Sequence, residues 1–163
     1  MKNEIEIGQF DESIDYIDRP TVKVIIRDGD KVLILNQGLL PGGGIDEGES
    51  VREAVDRELR EELGVTVDNV EEIGTVIQYR NFISKRYVIK GFVSTLATSG
   101  LPTEPQDDGE AEFVLHWLAM DKALELVRNS IEMAEENPMD SDANQSRLYN
   151  MMTTYDLLKK LGV

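Results

Sequence analysis

The chain has no cysteine and a single histidine among its 163 residues. The first absence removes disulfides, thiol nucleophiles and thiolate metal sites. The second leaves a histidine-based triad or a His-rich metal centre with little to work with. Basic residues are scarce as well: 17 Lys and Arg stand against 32 Asp and Glu, a net charge of −15 and a sequence pI near 4.4. A nucleic-acid polymer wants Lys and Arg clustered along its phosphates, so this balance argues against one as the main partner. A small phosphorylated ligand stays open, because divalent cations can mediate between its charge and the protein's. No apolar run approaches the roughly 20 residues of a membrane span. The start, MKNEIEIGQFDESIDYIDRP, is charged throughout and has no apolar stretch of the leader type. The expectation is a chain with no membrane partner and a cytoplasmic location.

What is there fits one globular domain spanning 1–163, with 40% hydrophobic and 30% charged residues. TVKVIIRDGDKVLILNQ, residues 21–37, reads as a hairpin, with two β-branched runs flanking Asp28-Gly29. LLPGGGIDEGES is too rich in glycine to predict regular structure. A helix is then well marked over Val51 to Leu63: Ser50 and Glu53 have capping-box spacing, and Gly64 stands where a left-handed C-terminal residue belongs. Two β-like runs follow, EEIGTVIQYRNF and KRYVIKGFVSTL, then a polar loop and the strand-like EFVLHWLAM. From about residue 121 to 163 the pattern turns helical in two segments, broken at Asn137-Pro138. In the last, Leu148, Met152, Tyr155 and Leu158 recur at helical spacing and predict the packed face. The fold class expected is α+β, a mixed sheet with the central helix and C-terminal helices packed on it.

The central helix poses a charge problem. At roughly 100° per residue, Val51, Val55, Leu59 and Leu63 form its core row, and Glu53, Arg57 and Arg60 fall on the far, solvated side. Glu58 and Glu62 instead fall at the edge of the apolar stripe, with Glu61 further round on the same flank. Acidic helices usually carry their charge on a solvated face, and here that reading puts two carboxylates on the wrong side. Carboxylates at a buried margin need cationic compensation or must give up their charge. Hard divalent cations supply compensation well, since they take several carboxylate oxygens at once.

Read from Gly43, GGIDEGESVREAVDRELREELGV has the spacing G-x5-E-x7-R-E-U-x-E-E-x-G-U, with U aliphatic. It resembles the Nudix box, with Gly43, Glu49, Arg57, Glu58, Leu59, Glu61, Glu62, Gly64 and Val65 at its fixed positions. At ordinary residue frequencies, such a match arises by chance on the order of once in 10^8 start positions. The resemblance implies an α/β/α sandwich and hydrolysis of a nucleoside diphosphate linked to another moiety, with Mg²⁺ or Mn²⁺ as cofactor. It implies metal-binding roles for Glu58, Glu61 and Glu62, with Glu58 and Glu61 also in the catalytic set. Arg57 matches an arginine that orients a catalytic glutamate, with Glu49 its partner. A further glutamate ahead of the Trp117 strand is implied as a metal ligand, either Glu110 or Glu112, and the spacing before Trp117 favours Glu112. His116, beside Trp117, is read as structural.

Arg80, Lys85 and Arg86 cluster near Tyr79, Phe82 and Tyr87. Of these, Arg80, Arg86 and Tyr87 are candidates for phosphate and base recognition, although hairpin decoration explains them about as well. The substrate expected is a small nucleoside-diphosphate derivative, with a nucleoside triphosphate and a nucleotide sugar such as ADP-ribose both open. The SQPWPFPxS run associated with the NADH-hydrolysing group is absent. The alternative is a Nudix-like domain that senses nucleotides without turnover, although such domains usually have degraded boxes. A homodimer is left open.

Overall fold

The computed structural model describes residues 4–104, 113–137 and 141–162. In chain order the elements are β1 (Glu4–Ile7), β2 (Ile17–Asp28), β3 (Lys31–Leu35), β4 (Gly42–Gly44), α1 (Val51–Leu63), β5 (Thr66–Arg80), β6 (Lys85–Thr98), β7 (Leu115–Ala119), α2 (Met120–Glu136) and α3 (Asp142–Leu161). The strands form one mixed sheet in the order β1-β5-β6-β2-β3-β7, with β4 paired to β2.

Alternation along β2 builds two cores. Val22, Val24 and Ile26 turn to one face and pack with Leu33, Leu35, Phe92 and the α1 residues Ala54, Val55 and Leu59. Ile25 turns to the other face and joins Val32, Ile34, Val76 and Ile89 under α2 and α3. A period of two does this, since successive strand side chains point to opposite faces. The result is three layers, helix on sheet on helices, as the α+β reading expects.

The site depends on how β2 changes partners. It pairs with β3 only at Arg27↔Val32 and Asp28↔Lys31, after which β3, paired with β7 along its whole length on the other edge, diverges from it. β4 takes the vacated place, with Thr21↔Gly44, Val22↔Gly43 and Lys23↔Gly42. The glycine run expected to be irregular is therefore a short strand, because an unpaired edge of β2 is there to receive it. The hairpin turn also lies one residue later than read from sequence: Asp28 is still in register, and Gly29, with φ 61°, and Asp30 make the loop. Positive φ at the first loop residue is the place a type II′ turn gives to glycine. β1 comes from a stretch whose charge hid it, and it pairs in parallel with β5 through Ile7↔Gln78.

The C-terminal helices fall close to their expected bounds. In α3 the fully packed residues are Met151, Thr153, Thr154, Leu157 and Leu158. Leu148, Met152 and Tyr155 are only half-buried beside them. Thr153 and Thr154 enter the buried set because their hydroxyls donate back to the carbonyls of Tyr149 and Asn150. A hydropathy count does not credit such satisfied threonines.

Candidate active site

α1 is fixed at both ends by its own sequence. The Ser50 side chain accepts from the Glu53 N–H, and the Glu53 carboxylate accepts from the Ser50 N–H. Gly64 closes the C-terminus at φ 64°, its N–H donating to the Arg60 carbonyl. With rotation and length set, the side chains of one flank have determined positions.

Glu58, Glu61 and Glu62 are buried, at 6%, 8% and 8% exposure. Glu62 Oε1 accepts the Gly42 N–H at 2.9 Å. A Cβ added at Gly43 would come within 2.6 Å of the Glu58 carboxylate, so any larger residue there would displace it. β4 and α1 are thus in contact through a glutamate lying on a glycine backbone.

Arg57 organises the flank. Its Nε and Nη2 donate to the two carboxylate oxygens of Glu49 at 2.7 and 2.9 Å, a bidentate pair. Nη1 donates to Glu58 at 2.8 Å and to Glu61 at 3.3 Å, and Nη2 also reaches the Gly44 carbonyl at 2.9 Å. The helical wheel assigns Arg57 to the solvated side, yet its side chain is only 22% exposed. Its long stem lets the guanidinium fold back over the flank, drawn by four carboxylates, those of Asp46, Glu49, Glu58 and Glu61. Hydrogen bonds from Arg57, then from the Asp46 N–H, hold the Glu49 carboxyl at about 2, well below its ordinary 4.5. The same pairing raises the pKa of Arg57.

Glu110 and Glu112 lie outside the described residues. The chain on either side of them is anchored near the site: the Glu104 N–H donates to the Glu61 carbonyl, and Phe113 packs on the α1-side core.

The other candidates do not converge on the glutamates. Arg80 and Tyr87 lie on the α3 face, with the guanidinium 3.6 Å from the ring centroid. Arg86, one residue from Tyr87 and so on the opposite face, makes a two-point pair with Asp18 at 2.7 and 3.0 Å.

A cleft of about 1150 Å³ opens where the loop after β3 meets β7, α2 and α3. Among the residues lining it are Asn36, Gln37, His116, Asn144, Gln145 and Met133. His116, read as structural, is part of its wall. No sequence motif flags this cleft, because its residues come from separate segments and only the fold assembles them.

A family model for the NUDIX domain matches residues 18–137, most of the chain and all of this flank. The protein belongs to the Nudix family. Its relatives bear this out: the "NAD-capped RNA hydrolase NudC" of Pseudomonas aeruginosa (strain LESB58) is 29% identical over 109 residues, 63% of this chain and 36% of the relative. The "Uncharacterized Nudix hydrolase YvcI" of Bacillus subtilis (strain 168) is 31% identical over 100 residues, 56% of this chain and 63% of the relative. The chain thus spans about a third of the length of the first and under two thirds of the second. Among solved structures, a MutT protein from Bacillus halodurans aligns with TM-score 0.52 and 32% identity over 66% of this chain and 72% of the other. A MutT NUDIX hydrolase from Burkholderia pseudomallei, at 21% identity, shares the fold with TM-score 0.54 over 64% and 85%. This Nudix protein has helices packed on a mixed sheet, as those structures do. Among the described residues, no helix is long and apolar enough to cross a membrane.

Proposed function

We propose that this Nudix hydrolase cleaves a nucleoside diphosphate linked to another moiety, by attack of water at phosphorus, with Mg²⁺ or Mn²⁺ as cofactor. The observation carrying this reading is the burial of Glu58, Glu61 and Glu62 on one flank of α1, against a glycine strand and around one arginine. Among the described residues, no three acidic or histidine side chains form a ready-made metal cage. The donor set still fits a hard divalent ion, because such an ion keeps several waters and needs only one or two carboxylates. Glu58, Glu61 and Glu62 would hold it, joined by Glu112. Once bound, the ion would neutralise phosphate oxygens and acidify the attacking water.

The chain's own groups do the rest. Glu49 grips Arg57 at two points, and Arg57 in turn orients Glu58 and Glu61. One carboxylate of this flank takes the proton of the attacking water. Arg86, on the α1 face, is a candidate for phosphate contact. A nucleoside triphosphate and a nucleotide sugar such as ADP-ribose both meet these demands. The NAD-capped RNA named for NudC belongs to the same pyrophosphate chemistry, but SQPWPFPxS is missing here and the charge of −15 favours a small substrate over a polymer. The packing of α3 on the same sheet as α1 supports reading 1–163 as a single domain, with 121–163 its helical part.

Nucleoside-diphosphate derivatives screened with Mg²⁺ and Mn²⁺, products resolved by anion exchange, test the reading. Turnover should vanish in excess EDTA and return with added metal; undiminished turnover in EDTA contradicts it. Glu112→Gln should raise the Mg²⁺ needed for half-maximal rate, and Glu110→Gln should do much less. Identical titrations for wild type and Glu112→Gln remove Glu112 from the ligand set.

A further inference from the structure

The far end of the sheet carries unmatched charge of the opposite sign. Arg80 ends β5 and is only 5% exposed. Its Nε donates to Gln78 Oε1 at 2.7 Å, its Nη2 donates to Asn150 Oδ1 at 3.1 Å, and its face lies on Tyr87. All these partners are neutral, and among the described residues no carboxylate pairs with Arg80. Nη1 donates to no described residue. No fully buried side-chain nitrogen or oxygen among those residues lacks a partner, so Nη1 must touch solvent. Lys85 stands directly opposite Arg80 in the β5–β6 register, which turns it to the same face. It too has no ion pair among the described residues.

Like charges directly opposite one another repel, and a buried charge without a counter-charge destabilises the fold. Burial does push the Arg80 pKa down. In a chain with an acid excess of fifteen charges, a compensating carboxylate would be easy to supply, yet none of the described residues places one here. The guanidinium is meanwhile held rigidly by Gln78, Asn150 and Tyr87, with one nitrogen left at the surface.

We propose that the tip of the β5–β6 hairpin is an oxyanion-binding site, where Arg80 and Lys85 receive a phosphate or carboxylate group of a small molecule. The site is distinct from the hydrolytic flank. Gly43 pairs with Val22, and Val22 pairs with Lys90 on β6. Lys85 lies five residues from Lys90 along that strand, roughly 17 Å. Arg80 also faces α3, whereas α1 packs on the opposite face.

The test is an NMR titration of the metal-free, ¹⁵N-labelled full chain at constant ionic strength, with inorganic phosphate and, separately, succinate. Either probe should give saturable shifts at the Arg80 Nε–H and at amides around residues 78–87 and 149–153. Response to phosphate alone, to succinate alone or to both identifies the oxyanion and supports the site. Lys85→Gln, a partly exposed change that leaves the packing intact, should weaken binding about tenfold. Arg80→Gln should abolish it, and Glu58→Gln should leave it unchanged. Absence of saturation with both probes up to about 20 mM, an affinity in the weak millimolar range, overturns the proposal. So does equal affinity in wild type and Lys85→Gln. The hydrolytic reading stands or falls independently, since this titration needs neither metal nor substrate.

Discussion

Two arginines of this chain live in opposite surroundings. Arg57 is set against Glu49, Glu58 and Glu61, with Glu62 buried on the same flank, so carboxylates gather there. Arg80 sits among amides and aromatic rings beside Lys85, and among the described residues neither has an ion pair on that face of the hairpin tip. Exposed structural ion pairs are usually matched one to one and contribute only about 0–1 kcal/mol. Like charges gathered in a sheltered place destabilise the fold, and a ligand of the other sign relieves them. The two proposals above follow that sign: a cation for the flank, an oxyanion for the tip.

The largest effects belong to the flank. Glu58→Gln, Glu61→Gln and Glu62→Gln should each lower turnover by on the order of a hundredfold or more, as losses of transition-state charge stabilisation do. Their metal-free melting temperatures should hold or rise, because like-charge crowding at i, i+3 and i+4 is relieved. Wild-type kinetics in these variants would remove the flank from the chemistry.

A smaller effect contrasts the two arginines directly. Arg57→Met strips three sheltered carboxylates of their counter-charge and should lower metal-free stability by about 2 kcal/mol. Arg80→Met removes an unmatched charge together with its hydrogen bonds and should lose about 1 kcal/mol. Urea denaturation at low salt measures both. Adding Glu58→Gln to Arg57→Met should recover part of the loss. Equal or reversed losses would mean that the two environments do not differ as described.

The smallest effect is a titration. The Glu49 carboxyl should protonate at about 2 in the folded, metal-free protein, against an ordinary 4.5. Its pKa is depressed on folding, so its contribution to stability is present above about 4.5 and is lost as pH falls toward 2. Carboxyl ¹³C shifts follow it. A midpoint near 4.5 would mean that the Arg57 clamp is open in solution, and Arg57→Met should produce that result.

Much of this architecture was legible in the sequence where local chemistry decides it. α1 runs from Val51 to Leu63 as read, since both caps and the apolar row lie within the segment itself. The side of the helix taken by Glu58 and Glu62 followed from the same periodicity. Features set by distant partners were not legible. β4 is a strand only because β3 leaves β2, and Glu58 can lie on Gly43 only because β4 is there. Gly91 is a mid-strand glycine because Leu157 of α3 packs onto it, at 2.6 Å from where a Cβ would stand. Arg57 looked solvated on a wheel that tracks Cβ directions and takes no account of a long side chain folding back. The burial of Arg80 and the cleft beside α3 depend on where α3 docks, which no window of sequence contains.

Paramagnetic broadening by Mn²⁺ tests, without knowledge of the substrate, whether the acidic flank of α1 holds a divalent ion as proposed. Substoichiometric Mn²⁺ added to ¹⁵N-labelled protein should bleach amide signals of Gly42 to Gly44 and of residues 58–62 before any others. Excess Mg²⁺ should restore them, and Glu58→Gln should blunt the effect. Uniform bleaching, or bleaching centred on another acidic surface while the α1 flank stays sharp, would contradict the claim.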